Sequence, residues 1–217
     1  MTPALGILPA AQVAFWEEEK RIPETFVLYG GTALALRLGH RQSIDFDFFS
    51  SSPLDEAKLL KTLPFAKEAE ILQSSPNTLT MRIDRGGPVT VSLFANLSFG
   101  QLQPPDLVVS AGIKIASLLD LMATKLKVIV ERSESKDYID IAALLRAGMS
   151  LAEGLGGAMA LFGPHFNAAL PLKALTYFGD GDLALVPRET QEYLISAAKN
   201  TRELPEMSLR NSIIGAL

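Results

Sequence analysis

The chain has 217 residues, of which 48% are hydrophobic and 20% charged, a composition typical of globular proteins rather than disordered or fibrous ones. Twenty lysines and arginines against 24 aspartates and glutamates leave a net charge of −4, which excludes a global positive field for nucleic acid. Cysteine is absent and there are two histidines, so disulfides, thiolate zinc sites and cysteine nucleophiles are excluded and an imidazole metal centre is disfavoured.

The first residues differ from a signal peptide, because no basic residue precedes their apolar stretch and the acidic run Glu17–Glu19 follows at once. No apolar run comes near the ~18 residues that a membrane span needs. We therefore expect no membrane segment and a cytoplasmic protein. The length favours one domain with an appendage.

The first predicted helix runs from Pro9 to about Arg21, where apolar residues recur at helical spacing. Residues 26–29 then form a short apolar run that predicts a buried strand, and Gly30-Gly31 separates it from a helix that begins at Thr32.

The next segment, SIDFDFFSS, alternates strictly and predicts a strand. Ile44, Phe46 and Phe48 are expected on one face, and Asp45 and Asp47 on the other.

Further along, a helix is predicted over 54–62 and a hairpin over 77–95, with its turn at Gly86-Gly87-Pro88. Helices are predicted at about 117–132 and 136–147, and helical patterns continue to the end. The glycine- and alanine-rich stretch 153–163 predicts a loose segment. A mixed sheet followed by helices is the α+β fold class.

The glycine pair is the first candidate for chemistry. Free backbone N–H groups at a helix start favour a phosphate, and glycine lets that phosphate come close. An ordinary tight turn explains the same two residues without any ligand.

Asp45 and Asp47 form the second candidate. Two carboxylates on one strand face repel each other unless a cation lies between them, and hard oxygen ligands suit Mg²⁺ completed by substrate phosphates. The alternative is the solvated face of an antiparallel strand.

Lys125 is the third candidate, because it falls on the apolar stripe of its predicted helix while Asp120 and Lys127 fall opposite. An inward ammonium must reach solvent, an acid or an anionic ligand. Asp137, at the start of the next helix, is expected either to pair with Lys125 or to hold a nucleophile's proton, with helix capping as the plain alternative. For Asp140 we expect a helix-dipole role only.

The segments GGTALALRLGHRQSIDFDFFS and DLMATKLKVIVERSESKDYIDIAALL resemble the AbiEii/AbiGii-type toxin nucleotidyltransferases of the polymerase-beta-like superfamily. The resemblance covers roughly residues 26–146 and rests on four elements in order. These are the glycine pair, the string from His40 to Asp47, the inward lysine, and the lysine-aspartate pair that opens the next helix. The stretch ALTYFGDGDLALVP is similar to the tail of the family.

This resemblance implies a nucleotidyltransferase core of a small mixed sheet with flanking helices over 1–110, and a helical region over 111–217 that completes the active site. It implies transfer of a nucleoside monophosphate from an NTP to an acceptor hydroxyl, tRNA for some members, and a cognate antitoxin. The implied roles are triphosphate binding by Gly30, Gly31 and Thr32, with further phosphate contacts from Arg41 and Ser43, and Mg²⁺ binding by Asp45 and Asp47. Lys125 is implied to neutralise phosphate charge, and Asp137 to complete the site.

The main departure from polymerase-like sites is a missing third carboxylate. The strand expected to carry it reads VTVSLFAN, with Ser92 near the expected place. Either Asp84 or Asp137 supplies the ligand, or one metal suffices, or the protein binds nucleotide without turning it over. That last reading, a degenerate nucleotide- or partner-binding module, is the main alternative. A DxD phosphatase or sugar transferase is disfavoured because neither explains Lys125 with Asp137.

Overall fold

The computed structural model describes residues 1–18 and 21–215 and divides into two compact units. The first, here called the strand unit, is Met1–Ala116 together with Asn211–Leu217. The second, the helical unit, is Ser117–Arg210. The mixed α/β content agrees with the predicted fold class.

The strand unit is built on one mixed sheet, in which the described residues form seven strands in the order β3-β4-β5-β2-β1-β7-β6. Strand β2 lies near the centre, antiparallel to β1 and parallel to β5. The strands are β1 (Val27–Tyr29), β2 (Asp45–Phe49), β3 (Glu70–Ser75), β4 (Thr78–Asp84), β5 (Pro88–Phe94), β6 (Asp106–Val108) and β7 (Ile113–Ile115).

One face of this sheet packs into the apolar core of the unit. Phe46 and Phe48 on β2 are fully buried, as are the alternate residues Val91 and Leu93 on β5. The helices of this unit are α1 (Ala10–Glu17), α2 (Gly30–Leu38) and α3 (Glu56–Thr62). Helix α1 packs against the apolar face, since the Phe15 and Phe46 rings have centroids 4.9 Å apart. The alternation of β2 therefore directs its two acids to the opposite face.

Several sequence predictions are confirmed in this unit, including β1, β2 and the antiparallel β4–β5 hairpin. Ile44 was placed wrongly, because it precedes β2 and is 53% exposed. Helix α1 ends at Glu17. Its predicted continuation to Arg21 runs through residues 19–20, which lie outside the described residues. The sequence prediction missed the short strands β6 and β7 and the exposed edge strand β3, because short or fully exposed strands lack a clear alternation.

The helical unit contains, within the described residues, α4 (Leu118–Val128), α5 (Ser135–Arg146), α6 (Leu151–Phe162), α7 (Ala169–Ala174) and α8 (Arg188–Asn200). The prediction of a loose segment over 153–163 is wrong, because most of these residues belong to α6. A Cβ on Gly154 would lie 2.5 Å from the Met122 side chain, so the glycine lets α6 pack closely on α4. Here glycine serves helix packing, which outweighs its low helix propensity.

Across residues 1–18 and 21–215, we find no helix with the length and apolar character needed to span a bilayer.

Candidate active site

The glycine turn, Gly30-Gly31, lies directly against one of the two strand acids. Helix α2 begins at Gly30, two residues before its predicted start, and Gly30 has a φ of +70°. A Cβ at Gly30 would lie 2.8 Å from Asp47 Oδ2. Glycine is therefore required here by the backbone conformation and by the approach of the carboxylate.

The second glycine of the turn faces two polar side chains from the loop before β2. A Cβ on Gly31 would lie 2.7 Å from Arg41 Nη2 and 3.0 Å from Ser43 Oγ. The structure thus brings Arg41 and Ser43, both singled out from the sequence, to the start of α2. A guanidinium, a hydroxyl and the helix N-terminus are all groups that bind phosphate.

Thr32 fastens α2 to the start of β2. Its side chain is fully buried, and its Oγ1 lies 2.5 Å from the carbonyl oxygen of Asp45 and 2.9 Å from Ser43 Oγ. The carbonyl can only accept, so the Thr32 hydroxyl donates to it and accepts from Ser43. Any contact of Thr32 with phosphate is consequently made through its backbone.

The two strand acids lie on the sheet face opposite Phe46 and Phe48. Asp45 is exposed and Asp47 is partly buried. In the strand register, Asp47 stands between Tyr29 of β1 and Ser92 of β5. The strand unit therefore gathers the glycine turn, Thr32, Arg41, Ser43 and both acids in one region, which we call the glycine-acid cradle.

Ser92, the residue near the place expected for a third acid, lies opposite Asp47 on the neighbouring strand. Ser92 is buried beside Asp47, and its Oγ accepts a 3.3 Å hydrogen bond from Thr80. Asp84 lies at the hairpin end of β4 and accepts a 2.9 Å hydrogen bond from the Gly87 N–H. The described part of the chain holds no group of three or more acids or histidines arranged for a metal.

The donor set of the cradle fits a single Mg²⁺. Two carboxylates on one strand face supply hard oxygen ligands, and Mg²⁺ is usually held by one or two carboxylates with substrate phosphates and water. The absence of a side chain at Gly30 lets the Asp47 carboxylate lie close to the backbone at the start of α2. A two-metal site built on three carboxylates has no counterpart among the described residues.

A second polar group, the ion cluster, lies in the helical unit and consists of the buried residues Lys125, Asp137 and Asp140 together with the partly exposed Arg132. Lys125 Nζ lies 2.6 Å from Asp137 Oδ1 and 2.6 Å from Asp140 Oδ2. Both carboxylates are fully buried, and the lysine side chain is 7% exposed. The predicted pairing of Lys125 with Asp137 is present. Asp140, for which only a helix-dipole role was expected, also forms an ion pair with Lys125.

Arg132 completes this cluster from a more exposed position. Its Nε lies 2.8 Å from Asp137 Oδ2, and its Nη2 lies 3.2 Å from Asp137 Oδ1. Burial by itself raises the pKa of Asp137, but the hydrogen bond from Arg132 and the charge of Lys125 outweigh it and hold that pKa below its ordinary value. Asp137 is therefore a permanently charged group at neutral pH.

The sequence contained a signal for Asp140 that periodicity alone did not resolve. Residues three apart on a helix share a face, so an inward Asp137 brings Asp140 toward the same partner. Asp120 was also placed wrongly, since it is 1% exposed and not on the solvent side of α4. It forms a reciprocal pair with Ser117, which donates to its carboxylate and accepts from its backbone N–H.

A glycine turn at a helix start, set against a strand with two alternating acids on a mixed sheet, suits a metal-bound phosphate, the kind of substrate that nucleotidyl- and phosphoryl-transfer enzymes use.

Comparison with known proteins gives the family. Residues 17–208 match the family described as nucleotidyl transferase AbiEii toxin of type IV toxin–antitoxin systems. The chain belongs to this family and is a nucleotidyltransferase. Membership decides against the phosphatase and sugar-transferase alternatives.

The chain is also similar to a sequence relative and, in fold, to solved structures. An uncharacterised protein of Aquifex aeolicus is 32% identical over 158 residues, covering 71% of this chain and 74% of that protein. Among solved structures, the fold is similar to the nucleotidyltransferase toxin MenT4 of Mycobacterium tuberculosis, with a TM-score of 0.54, 14% identity and coverage of 82% and 77% of the two chains. It is also similar to a candidate nucleotidyltransferase from H. pylori, with a TM-score of 0.50, 18% identity and coverage of 81% and 85%.

Proposed function

We propose that this toxin-family nucleotidyltransferase transfers a nucleoside monophosphate from an Mg²⁺-bound NTP to an acceptor hydroxyl, and that the glycine-acid cradle binds the triphosphate. The observation that carries this proposal is the approach of the glycine turn to Asp47. A bare backbone, a helix N-terminus and a carboxylate within van der Waals reach of each other suit a metal-bound polyphosphate.

In the proposed role, Asp45 and Asp47 hold the Mg²⁺, while the backbone at Gly30, Gly31 and Thr32 binds phosphate oxygens with help from Arg41 and Ser43. The metal ion, when bound, supplies charge neutralisation and orients the phosphates. The protein groups position the α-phosphorus for in-line attack. The acceptor oxygen bonds to that phosphorus, the bond to the bridging oxygen breaks, and pyrophosphate leaves while the hydroxyl proton passes to solvent.

The assignment of Lys125 and Asp137 to the same reaction stays a prediction. It is supported by family membership and by the burial of one lysine and two carboxylates in contact with each other, with Arg132 pairing from a partly exposed position. Such a network is costly unless each charge is compensated. In this role, Lys125 opposes the negative charge that develops on pyrophosphate, and Asp137 fixes the position of the lysine.

The direct test is pyrophosphate release and label transfer from each of the four NTPs with Mg²⁺ and total RNA. We expect transfer by the wild-type protein and at least about a 100-fold loss in Asp47→Ala, since removal of a metal ligand removes the bound charge. Asp84→Asn is the matched control, because Asp84 is an acid of the same sheet whose carboxylate holds a turn. Equal transfer by Asp47→Ala and the wild type would refute the assignment.

Two of the open alternatives can be tested alongside, namely Asp84 as the missing ligand and nucleotide binding without turnover. Loss of transfer in Asp84→Asn as well would make Asp84 the third metal ligand. NTP binding by calorimetry without any pyrophosphate release would indicate the degenerate binding module.

The acceptor and the antitoxin belong to the proposal as well. We propose an RNA acceptor, tRNA by analogy with the family, bound by local contacts because the net charge is −4. Label that survives protease and disappears with ribonuclease would support this acceptor, and the reverse pattern would make a protein the acceptor.

A cognate antitoxin, the expected partner in a type IV system, should relieve growth arrest caused by the chain in co-expression.

A further inference from the structure

The segment Gly179–Asp182, here called the GDGD loop, binds the start of helix α5 from 47 residues further along the chain. Ser135, the first residue of α5, donates its backbone N–H to Asp182 Oδ1 at 2.5 Å and its hydroxyl to Asp182 Oδ2 at 2.8 Å. Both oxygens of the Asp182 carboxylate are thus occupied by one residue. The proposed function gives this loop no role.

Helix α5 needs such a partner, because its own N-cap residue supplies none. Glu134 occupies the N-cap position without a side-chain capping hydrogen bond. The first N–H groups of a helix have no intrahelical acceptor, and a carboxylate there also meets the positive end of the helix dipole. Asp182 therefore acts as an N-terminal cap delivered from a distant part of the helical unit.

Glycine at position 181 makes this approach sterically feasible. Gly181 has a φ of +53°, and a Cβ there would collide with the carbonyl oxygen of Ser133, just before α5. Any side chain at 181 would consequently push the loop away from the helix start. The close approach and the left-handed backbone both require glycine.

A neighbouring aromatic contact fixes the next residues of the same helix turn. The rings of Phe178 and Tyr138 meet edge to face with centroids 5.6 Å apart, and the Tyr138 hydroxyl lies 3.4 Å from the carbonyl oxygen of Ala174. Tyr138 is 2% exposed and follows Asp137 directly. The segment 174–182 thus holds the first turn of α5 at two separate points.

We propose that Asp182 is a positioning residue for the reaction, acting by capping α5 and so fixing Asp137 and Asp140 around Lys125. This inference rests on the proposed function, in which Lys125 opposes charge on the leaving pyrophosphate. The two carboxylates that hold Lys125 come from the first two turns of α5, so a shift or fraying of that end moves both at once. The lysine ammonium then loses its defined position.

The pKa of Asp182 is in line with this role. The backbone N–H and the hydroxyl of Ser135 hold the pKa of Asp182 below its ordinary value, so the cap is charged at neutral pH. Asp180, two residues earlier in the same loop, is exposed and has the same charge, and its backbone carbonyl bonds within the loop. It provides a matched control.

The test compares Asp182→Ala, Asp182→Glu and Asp180→Ala with the wild type, using three readouts below the melting temperature. Circular dichroism checks folding, hydrogen–deuterium exchange of residues 133–140 reports the cap, and steady-state pyrophosphate release gives kcat and KM for NTP. We expect Asp182→Ala to stay folded and to exchange at least about fivefold faster over 133–140, as expected for a lost cap. Its kcat should fall about 10- to 100-fold while KM changes by less than about twofold, because a displaced catalytic group raises the barrier more than it weakens binding.

Asp180→Ala should match the wild type in exchange and kcat, and Asp182→Glu should recover part of the lost kcat by restoring a carboxylate. Faster exchange with an unchanged kcat in Asp182→Ala would overturn the positioning role and leave a purely structural cap. Unchanged exchange would overturn the cap itself. A wild-type protein without any pyrophosphate release would instead refute the proposed function, and with it the positioning role, while the exchange comparison still decides whether Asp182 caps the helix.

Discussion

The molecule contains two pairs of closely spaced aspartates that end in opposite environments. Asp45 and Asp47 are two apart on a strand, and Asp137 and Asp140 are three apart on a helix, so each pair shares one face of its element. The strand pair lies beside a glycine turn with one carboxylate exposed. The helix pair is fully buried around Lys125. Spacing aligns carboxylates, and the surroundings decide whether they are offered to a ligand or are neutralised within the fold.

The largest effect should come from removing the cation that neutralises the helix pair. Lys125→Met should lower the free energy of unfolding by about 3–5 kcal/mol, because it leaves two buried carboxylates without their shared partner. Lys127→Met, on the same helix, is the control and should change it by less than about 0.5 kcal/mol, since Lys127 forms a partly exposed pair with Glu131. Urea denaturation of both variants measures the difference. Similar losses in the two would show that the cluster is not held by charge compensation.

The strand pair can be tested through the hydroxyl that anchors it. Thr32→Val should cost about 1–3 kcal/mol, because the carbonyl of Asp45 and the hydroxyl of Ser43 lose a buried partner. Thr32→Ser keeps the hydroxyl and should cost less. Thermal unfolding measures both. If serine and valine were equally destabilising, the methyl group rather than the hydrogen bonds would connect α2 to β2.

Substitution of two glycines can separate the effect of backbone strain from the effect of crowding the Asp47 carboxylate. Gly30→Ala and Gly86→Ala both introduce a side chain at positive φ, +70° and +77°, and each should cost about 1–2 kcal/mol of stability. A Cβ at Gly86 meets open space, whereas one at Gly30 meets Asp47 Oδ2. Pyrophosphate release should therefore fall only in Gly30→Ala. Equal activity of the two variants would contradict the proposed role of the Gly30–Asp47 contact in binding the metal-bound triphosphate.

The smallest effect is a pH dependence specific to the helix pair. A carboxyl whose pKa is lowered in the folded state stabilises the protein above the ordinary aspartate pKa of 3.8, and this contribution is lost as the pH falls through the folded value. The stability difference between the wild type and Asp137→Asn should therefore shrink as the pH falls below 3.8. Urea denaturation from pH 6 to pH 3 measures it. A difference that is constant over this range would contradict the lowered pKa.

The sequence predicted the strand pair more completely than the helix pair, and the reason is local geometry. Alternation along β2 places both acids on one face within five residues, and the glycine turn lies nearby in the chain. For α5, the inward direction of Asp137 was correctly inferred. The burial of Asp140 depends on its pairing with Lys125, which lies on α4, a different helix. The residue periodicity of α5 gives no information about which side chains of α4 lie against it.

Long-range partners were the least predictable part. The bond from Ser135 to Asp182 joins residues 47 apart, and Gly154 of α6 packs against Met122 of α4, a contact that helix propensity does not predict. Short strands such as β6 and β7 have too few residues for a pattern to emerge.

By itself, the sequence determined most of the elements, the shared face of Asp45 and Asp47, the inward direction of Lys125 and Asp137, and the family, because these depend on residue periodicity and on motifs with fixed spacing. Only the tertiary structure decided that Thr32 is buried, that Asp140 shares Lys125 with Asp137, and that Asp182, 47 residues further along the chain, caps α5. These are contacts between segments distant in the chain, and their geometry follows from packing and charge compensation rather than from any local pattern.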